Sequence, residues 1–567
     1  MNSALFVALR RLRLPIILLI SVYAIGMIGL VLIPGVDENG NPWRMSFFDA
    51  FYFMSYTAST IGFGEIPRPF TYAQRIWVTF VIYLSVLGWA YAIARLLALL
   101  QDRGFQHTLI QQRFAREVQN LSEPFYLVCG FGETGMLVCR ALDRMGLRFV
   151  VIDVREDRVA EVDLQGFQVD TPALAADARY PANLVLAGLK DESCRGVLAL
   201  TSDDSANLAV AMAGKLLHPG ITVICRAMSR SVADNMASFG TDHIVNPFET
   251  FADYLSLAIN SPGRHRLTDL LIGESGQRYR RAPLPPRGPW VVAGYGRFGR
   301  EVVSCLDAEG LAVSIIDPAP ALPGRNYVCG TGTEQAPLRQ AGIEQAVGLV
   351  AGTDDDVNNL SIAVTARQVN PRLFVIVRQN LQANRALFEA YDAQVNMVPS
   401  QIIADRCVAL LGSPMLARFL ALAHGQDDRW AQELAERLEA LVPGRVPELW
   451  DVRLDLDEAP AVYRALTDRE GEIRIGTLLR DPAERSRSLE CVALLLSRAR
   501  ERELLPSREQ RVRPGDRVLF AGRPDSRRAQ RALLRNANVF DYVHRGREIP
   551  GGWVWEAMTR RGEPPRN

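Results

Sequence analysis

Two long apolar runs near the start of the chain restrict its fold more than any other feature. Residues 14–33 carry no charged side chain, and residues 76–100 carry only Arg95, close to the end of that run. A helix of about 20 apolar residues spans the hydrocarbon core of a bilayer. A secretory signal peptide is the alternative for the first run, but its length and the second run close behind it favour two membrane helices.

Basic residues indicate how these two helices are oriented. They precede the first run and lie at or beyond the end of the second: Arg10, Arg11, Arg13, Arg95 and Arg103. Because basic residues concentrate on the cytoplasmic side of a membrane, both chain termini are predicted to be cytoplasmic and residues 35–75 to face outward. The expected location is the inner (plasma) membrane, with a multi-pass topology.

The segment between the two runs is itself apolar. Residues 45–59 are rich in aromatic side chains and too short to cross a bilayer, which suits a helix that enters the membrane and stops. The residues TIGFGE (60–65) follow directly. Non-helical backbone at membrane depth is tolerated only where protein surrounds it or water lines it. Gly62 and Gly64 admit dihedrals that turn successive carbonyls toward one side; an ordinary glycine turn between helices is the alternative.

With its flanking helices, this stretch resembles the TVGYGD signature of potassium channels. The resemblance implies a selectivity filter formed by Thr60, Ile61, Gly62, Phe63 and Gly64. The backbone carbonyls from Thr60 to Phe63 would replace the hydration water of K⁺, and four identical chains would complete the filter. Since Ile, Phe and Glu stand where the signature has Val, Tyr and Asp, the strictness of selection for K⁺ over Na⁺ is left open.

A second motif follows a predicted helical linker. The chain forms a strand, a glycine turn with Gly130, Gly132 and Gly135, a helix, and a second strand that ends in Asp153. In dinucleotide-binding folds the first glycine makes the turn, the second lets the backbone approach a phosphate, and the third lets helix and strand close up. The N–H groups at the helix start can then bind the anion, and Asp153 can accept hydrogen bonds from a ribose diol.

This pattern occurs twice in the chain. Gly294, Gly296, Gly299 and Asp317 repeat it at a displacement of 164 residues. Later segments, such as ITVICR and LFVIVR, repeat at a displacement of 152, so the second copy has lost about 12 residues. Two doubly wound α/β domains in tandem are therefore predicted, with the proline-rich residues 283–289 between them.

The tandem pair resembles RCK domains, regulators of potassium conductance that are kin to the TrkA-N nucleotide-binding subunits of potassium transporters. The predicted fold class is a membrane α-helical two-span potassium-channel pore plus α/β Rossmann-like tandem RCK domains and a small α+β C-terminal subdomain. The resemblance to ligand-gated prokaryotic channels implies a homotetramer whose eight RCK domains form an intracellular gating ring. The predicted boundaries are 1–100 for the pore domain, 101–123 for the linker, 124–282 and 289–412 for the RCK domains, 413–545 for a helical connector and C-terminal subdomain, and 546–567 for a tail.

The glycine turns define the predicted nucleotide-binding residues. They are Gly130, Phe131, Gly132, Glu133, Thr134, Gly135, Asp153 and Asp177 in the first domain, and Gly294, Tyr295, Gly296, Arg297, Phe298, Gly299 and Asp317 in the second. The acids at the strand ends repel a 2′-phosphate, so NAD, ADP or AMP is predicted rather than NADP. Because Thr331, the counterpart of Asp177, is not acidic, the two sites are predicted to differ in ligand or affinity. Glycine turns retained only for packing are the alternative.

Two further sets of residues each keep two interpretations. Arg226 and Arg378 end equivalent strands, where they either bind phosphate or lie at a surface or domain interface. Acid–amide pairs at two helix starts favour capping, with a divalent ion as the alternative: Asp203 with Asn207, and Asp355 with Asn359. The acidic run 354–356 keeps Ca²⁺ open as a ligand without specifying a geometry.

The predicted function is a potassium-selective channel gated by intracellular ligands that bind the RCK domains. The net charge of +1 gives no electrostatic reason to expect nucleic-acid binding. No His, Arg and Lys constellation of catalytic type accompanies either glycine turn, so enzymatic activity is not predicted. The alternatives are a nucleotide-binding membrane subunit of a potassium transport system and a membrane-anchored NAD-dependent oxidoreductase.

Overall fold

The computed structural model describes most of the chain as two compact units, Met1–Leu121 and Ser122–Asn567. The described residues are 3–37, 39–59, 61–273, 275–279, 281, 283–319, 325–412, 414–468, 472–499 and 501–546. Thr60, the first predicted filter residue, and residues 547–567 of the predicted tail lie outside them.

The first unit consists mainly of helices. Its elements are α1 (Ser3–Leu32), β1 (Gly35–Val36), β2 (Pro42–Trp43), α2 (Phe47–Ala58), α3 (Tyr72–Gln101) and α4 (Arg103–Gln119). Among the described helices, two are long and apolar enough to cross a membrane, over Leu12–Leu32 and Tyr72–Gln101, which confirms the two predicted spans. The second begins earlier than its apolar run, because Thr71 caps α3 with its side chain and Gln74 bonds back to the Thr71 N–H.

An aromatic contact fixes how α1 and α3 approach each other. Trp77 lies against Gly29, where a Cβ atom would come within 2.0 Å of the indole ring. The Trp77 Nε1 donates a hydrogen bond to the carbonyl of Gly26 at 3.3 Å. Leu30 of α1 and Val81 of α3 pack with the buried face of α2. The short helix is therefore held by both long helices.

The second unit begins with a parallel α/β domain. Its elements are β3 (Phe125–Cys129), α5 (Glu133–Arg144), β4 (Arg148–Asp153), α6 (Glu156–Leu164), β5 (Ala173–Ala175), α7 (Pro181–Leu186), β6 (Cys194–Ala199), α8 (Asp204–Leu217), β7 (Thr222–Arg226), α9 (Arg230–Ser238), β8 (His243–Val245), α10 (Pro247–Asn260) and α11 (Pro262–Ile272). Six parallel strands follow the order β5-β4-β3-β6-β7-β8 among the described residues. This is a doubly wound sheet, whose ligands bind where the strand order reverses, here beyond the carboxyl end of β3.

A second sheet repeats the design. Its elements are β9 (Trp290–Ala293), α12 (Arg297–Ala308), β10 (Val313–Asp317), β11 (Asn326–Cys329), α13 (Gln335–Gln340), β12 (Gly348–Ala351), α14 (Asp356–Val369), β13 (Phe374–Arg378), α15 (Arg385–Tyr391), β14 (Val395–Met397) and α16 (Pro399–Gly412). The strand order is β11-β10-β9-β12-β13-β14, the same as in the first sheet. The predicted tandem of doubly wound domains is confirmed.

One helix of each domain, α10 in the first and α16 in the second, packs on the sheet of the other domain. Phe248 and Phe251 of α10 share a core with Trp290 and Phe298 of the second sheet layer. In return, α16 places Ile403 and its neighbours in the core of the first sheet. The two domains therefore exchange helices, and the packing crosses the predicted boundaries at 282 and 289, which themselves stay predictions.

The end of the described chain forms an antiparallel subdomain. Its elements are α17 (Pro414–Ala423), α18 (Asp428–Leu441), β15 (Glu448–Arg453), α19 (Pro460–Thr467), α20 (Ile475–Leu478), β16 (Cys491–Arg498), β17 (Glu501–Leu504), β18 (Arg517–Gly522), α21 (Pro524–Arg535) and α22 (Ala537–Arg545). The strand order is β15-β18-β16-β17, with α19, α21 and α22 on one face and α11, α17 and α18 on the other. Residues 414–442, at the start of the predicted connector and C-terminal subdomain, form two helices in this core because Asp427 starts a new helix by capping the N–H of Trp430.

A buried histidine in α11 makes the stability of this region depend on pH. His265 is 4% exposed and its ring lies 4.3 Å from that of Tyr254, centre to centre. Burial lowers the pKa of His265 to about 4, from an ordinary value of 6.5. Between these pH values His265 is protonated in the unfolded chain and neutral in the folded chain. The free energy of unfolding therefore falls as the pH drops through this range.

We expect the second unit to lose roughly 2 kcal/mol of stability between pH 7.5 and pH 5 through His265 alone. Hydrogen exchange of residues 262–272 in the full chain measures it. In the variant His265→Phe, which keeps an aromatic ring against Tyr254, this part of the pH dependence should disappear. Burial raises the pKa of Asp269, which makes stability change with pH in the opposite direction. Because Asp269 is present in both the wild type and His265→Phe, the difference between their pH dependences is due to the histidine. An equal pH dependence in both would contradict the assignment.

Candidate functional site

The predicted filter stretch is a non-helical segment anchored on the end of α2. The N–H groups of Ile61 and Gly62 both donate to the carbonyl of Tyr56, at 2.9 and 3.3 Å. Gly62 and Gly64 have φ angles of +66° and +90°, a backbone region that side chains disfavour. Left-handed residues at alternate positions are required to turn successive carbonyls toward one side of the segment. Thr60 lies outside the described residues, so its predicted role stays untested.

Tyr56, which the sequence reasoning missed, braces this segment. Its hydroxyl donates to the carbonyl of Gly64 at 2.7 Å, and its ring lies 5.4 Å from the ring of Phe63. The TVGYGD signature has a tyrosine where this chain has Phe63, and here a tyrosine hydroxyl comes instead from α2, the helix before the predicted filter stretch. The missing hydroxyl at residue 63 was the signal that another donor was needed.

Glu65 closes the segment on its far side. Its carboxylate accepts from the Arg75 Nε at 2.8 Å and from the N–H of Phe70 at 2.9 Å. The hydrogen bond from Arg75 is the main cause that lowers the pKa of Glu65. The acid therefore ties the end of the filter stretch to the start of α3.

The first glycine turn has the geometry of a phosphate cradle. Gly130 has a φ of +100°, and a Cβ on Gly135 would lie 1.9 Å from the carbonyl oxygen of Gly130. Gly132 is the N-cap residue of α5, without a side-chain cap, and a Cβ there would meet no atom within 4 Å. Asp153 accepts from the N–H of Phe131 at 2.6 Å and holds the turn at the strand end.

The second glycine turn has the same backbone. Gly294 has a φ of +95°, and a Cβ on Gly299 would lie 1.9 Å from the Gly294 carbonyl oxygen. Asp317 accepts from the N–H of Tyr295 at 2.6 Å, as Asp153 does for Phe131. The side chain of Phe298 is fully buried in the core between domains.

Two predicted binding side chains therefore serve packing instead. Phe131 is fully buried among the apolar residues of the first domain, as Phe298 is in the second. Phe131 follows Gly130 and Phe298 precedes Gly299, and both side chains lie in the core. Only their backbone atoms remain candidates for ligand contact.

A cavity of about 430 Å³ opens at the first glycine turn. It gathers most of the binding residues predicted for the first domain: Gly130, Gly132, Glu133, Thr134, Asp153 and Asp177. Arg226 from the end of β7 joins them, and the second domain contributes Arg378, Asn380, Pro399 and Ser400. The exchange of α16 onto the first sheet explains why residues so distant in sequence meet here. The Glu133 carboxylate also accepts from the N–H of Gln382 at 3.0 Å, a further link between the domains.

Two arginines at strand ends offer donors to an anionic ligand in this cavity, whose wall also carries the acids Glu133, Asp153 and Asp203. Arg226 and Arg378 both line it, and burial lowers the pKa of each guanidinium. Asp177 forms an ion pair with Arg179 at 2.7 Å, and hydrogen bonding by Arg179 lowers the pKa of that carboxyl. Arg226 and Arg378 were predicted either to bind phosphate or to lie at a surface or domain interface. Both residues lie at the interface between the domains, and both line the cavity.

The acid–amide pairs are structural. Asn207 accepts from the N–H and hydroxyl of Thr201 and donates to the carbonyls of Thr201 and Arg226, and Asn359 does the same in the second domain. The acids of the pairs, Asp203 and Asp355, cap α8 and α14 by accepting from the N–H groups of Ser205 and Asn358. Asp356 of the acidic run accepts from donors of Asn380, Leu381 and Asn384. Among the described residues no group of three His, Cys, Asp or Glu side chains is arranged for a metal ion. The capping interpretation is therefore favoured, and Ca²⁺ receives no support.

Known families match both units. The TrkA-N domain matches residues 126–247 and 290–400, and the Ion channel domain matches residues 17–102. The chain is 24% identical over 238 residues to Potassium channel protein 1 of Methanocaldococcus jannaschii, over 42% of this chain and 67% of that protein. It is 22% identical over 238 residues to the voltage-gated potassium channel Kch of Escherichia coli, over 42% of this chain and 55% of that one.

Solved structures show a likeness over most of the chain. The GsuK channel covers 93% of this chain and 99% of its own at 16% identity, with a TM-score of 0.45. The GsuK channel bound to NAD covers 94% and 99% at 15% identity, with a TM-score of 0.44. The alignments to the first four relatives span between 34% and 67% of their lengths.

The two family matches define the class: an ion-channel domain and two Rossmann-like TrkA-N domains in one chain. The chain belongs to the proteins that join an Ion channel domain to TrkA-N domains, and it is homologous to archaeal and bacterial potassium channels with RCK domains. The family and the fold class predicted from the sequence are thereby confirmed.

Proposed function

We propose that the protein is a potassium-selective channel whose pore is regulated by nucleotides such as NAD, ADP or AMP bound to its RCK domains. The observation that carries the proposal is the non-helical segment 61–64, with left-handed Gly62 and Gly64, between two apolar helices. Four copies around one axis would bring their carbonyls into rings that coordinate dehydrated K⁺. The pore therefore requires a homotetramer in a membrane, in which eight RCK domains form the gating ring.

The expected orientation places both termini in the cytoplasm, in the inner (plasma) membrane. The basic residues near the ends of α1 and α3 support it. In this orientation the nucleotide sites face the cytoplasmic pool of ligands. Their effect on the pore would pass along the chain through α4, which follows the second span directly.

Gating follows from a difference in affinity between two shapes of the ring. A ligand shifts a conformational equilibrium only as far as it prefers one state. A tenfold preference supplies about 1.4 kcal/mol per site, and four sites in a tetramer multiply it. Modest selectivity at each site is therefore sufficient to open or close the pore.

Flux through liposomes that contain only the purified full chain tests the channel. We expect K⁺ flux to exceed Na⁺ flux, and added ADP or NAD to change its rate. A protein that carries no K⁺ by itself would instead support the alternative of a nucleotide-binding subunit of a transport system. Flux indifferent to every nucleotide would refute the gating. The absence of enzymatic activity stays a prediction, which NADH oxidation by the same preparation would contradict.

Loss of the Tyr56 brace should weaken selectivity without loss of the fold. In Tyr56→Phe the Gly64 carbonyl loses its donor, a neutral hydrogen bond that contributes about 1 kcal/mol. We expect the ratio of K⁺ to Na⁺ flux to fall about fivefold. Tyr52→Phe is the matched control, since Tyr52 is exposed on the same helix and packs edge-on against Tyr56. An unchanged ratio in Tyr56→Phe would show that the filter does not depend on this bond.

A further inference from the structure

The two exchanged helices carry different residues at the one position that covers each strand-end arginine. Phe248 of α10 and Ser400 of α16 are equivalent, at the same displacement of 152 residues that relates Arg226 to Arg378. In the second domain the Arg378 guanidinium lies over the Phe248 ring, 4.9 Å from its centre. At the first glycine turn, Ser400 of the second domain and Arg226 of the first both line the cavity. The Phe248 ring therefore covers Arg378, whereas the small side chain of Ser400 leaves Arg226 uncovered.

The acidic partners of the two arginines differ in the same way. A terminal nitrogen of Arg378 forms an ion pair with Asp354 at 2.7 Å. The residue equivalent to Asp354 in the first domain is Ser202, which cannot form an ion pair. Arg226 instead points a terminal nitrogen at the sulfur of Met228 at 3.4 Å. The strand-end charge is therefore neutralised in the second domain and left open in the first.

Three polar atoms of this cavity wall are buried without a hydrogen-bond partner: the Nε atoms of Arg226 and Arg378 and the Oγ of Ser400. Arg378 and Ser400 are each only 7% exposed. An unmet buried donor costs free energy, so such atoms in a cavity indicate a ligand that supplies acceptors. Guanidinium groups match the oxygen atoms of phosphate.

We propose that the cavity at the first glycine turn takes a nucleotide with at least two phosphate groups, a nucleoside diphosphate or a dinucleotide, and that the second turn is not a second such site. One phosphate lies at the N-terminus of α5, and the other lies against Arg226 and Ser400. Because Ser400 belongs to the second domain, the ligand joins both halves of the chain. The proposal rests on the nucleotide binding proposed above and assigns it to one of two sites.

Calorimetric titration of the purified full chain tests the assignment. We expect one ADP to bind per chain. ADP should bind at least tenfold more tightly than AMP, and AMP should bind more tightly than adenosine. Ser400→Phe copies the second domain into the first and should weaken ADP binding at least tenfold. The reciprocal change, Phe248→Ser, should leave ADP affinity unchanged. Arg226→Gln should weaken ADP binding at least tenfold while adenosine binding stays the same.

Two equal ADP sites per chain, or wild-type ADP affinity in both Ser400→Phe and Arg226→Gln, would overturn the proposal. If Ser400→Phe does not fold, the comparison of Arg226→Gln with Arg226→Lys decides, because lysine keeps the charge and should restore part of the affinity. K⁺ flux of the same preparations separates the two proposals. Flux without ADP binding defeats only this inference, and ADP binding without flux defeats only the channel.

Discussion

Replacing Gly62 by alanine is expected to reduce K⁺ flux at least a hundredfold in a protein that still folds and assembles. Gly62 has a φ of +66°, and a residue with a side chain pays about 1–2 kcal/mol in that conformation. Four chains would contribute this strain to one filter. The easiest relief is rotation of the peptide to negative φ, which turns a carbonyl away from the ion path. Liposome flux of K⁺ measures the loss.

Gly40→Ala is the matched control for the filter variant. Gly40 has a φ of +82° and, as at Gly62, a Cβ there would meet no atom within 4 Å. It lies in the turn between β1 and β2, away from the predicted filter, so the same backbone strain should leave flux unchanged. Wild-type flux in Gly62→Ala would show that this carbonyl does not line the path. Equal loss in both variants would trace the defect to general destabilisation of the pore unit.

The features that short-range geometry dictates could be predicted from the sequence. A Cβ on Gly135 would overlap the Gly130 carbonyl, so the spacing of the glycines already specifies the turn. The same holds for the two spans, whose length and lack of charge leave few folds open. The repeat at constant displacement then predicted the second sheet from the first.

Contacts between distant segments could not be predicted in this way. The exchange of α10 and α16 depends on which apolar faces fit together in three dimensions, and no local pattern records it. The composite cavity with Ser400 follows from such contacts, whereas the brace from Tyr56 reaches only eight residues along the chain and depends on the course of the backbone after α2. Phe131 and Phe298 were assigned to ligand binding because they lie inside a motif, whereas their side chains fill the core. The repeat in the sequence already shows that Phe248 and Ser400 are equivalent. Only the fold shows that each of them lies beside a strand-end arginine.

Gly132→Ala is expected to weaken ADP binding at least tenfold, about 1.4 kcal/mol, without loss of stability. The φ and ψ of Gly132, −76° and −165°, suit alanine, and the added Cβ would meet no protein atom within 4 Å. That space lies at the start of α5, where the backbone approaches a bound phosphate. Thermal unfolding and calorimetric titration of the full chain measure the two effects separately. Gly296→Ala, with the same freedom in the second turn, should leave ADP affinity unchanged, and an equal loss in both variants would show that both turns bind the nucleotide.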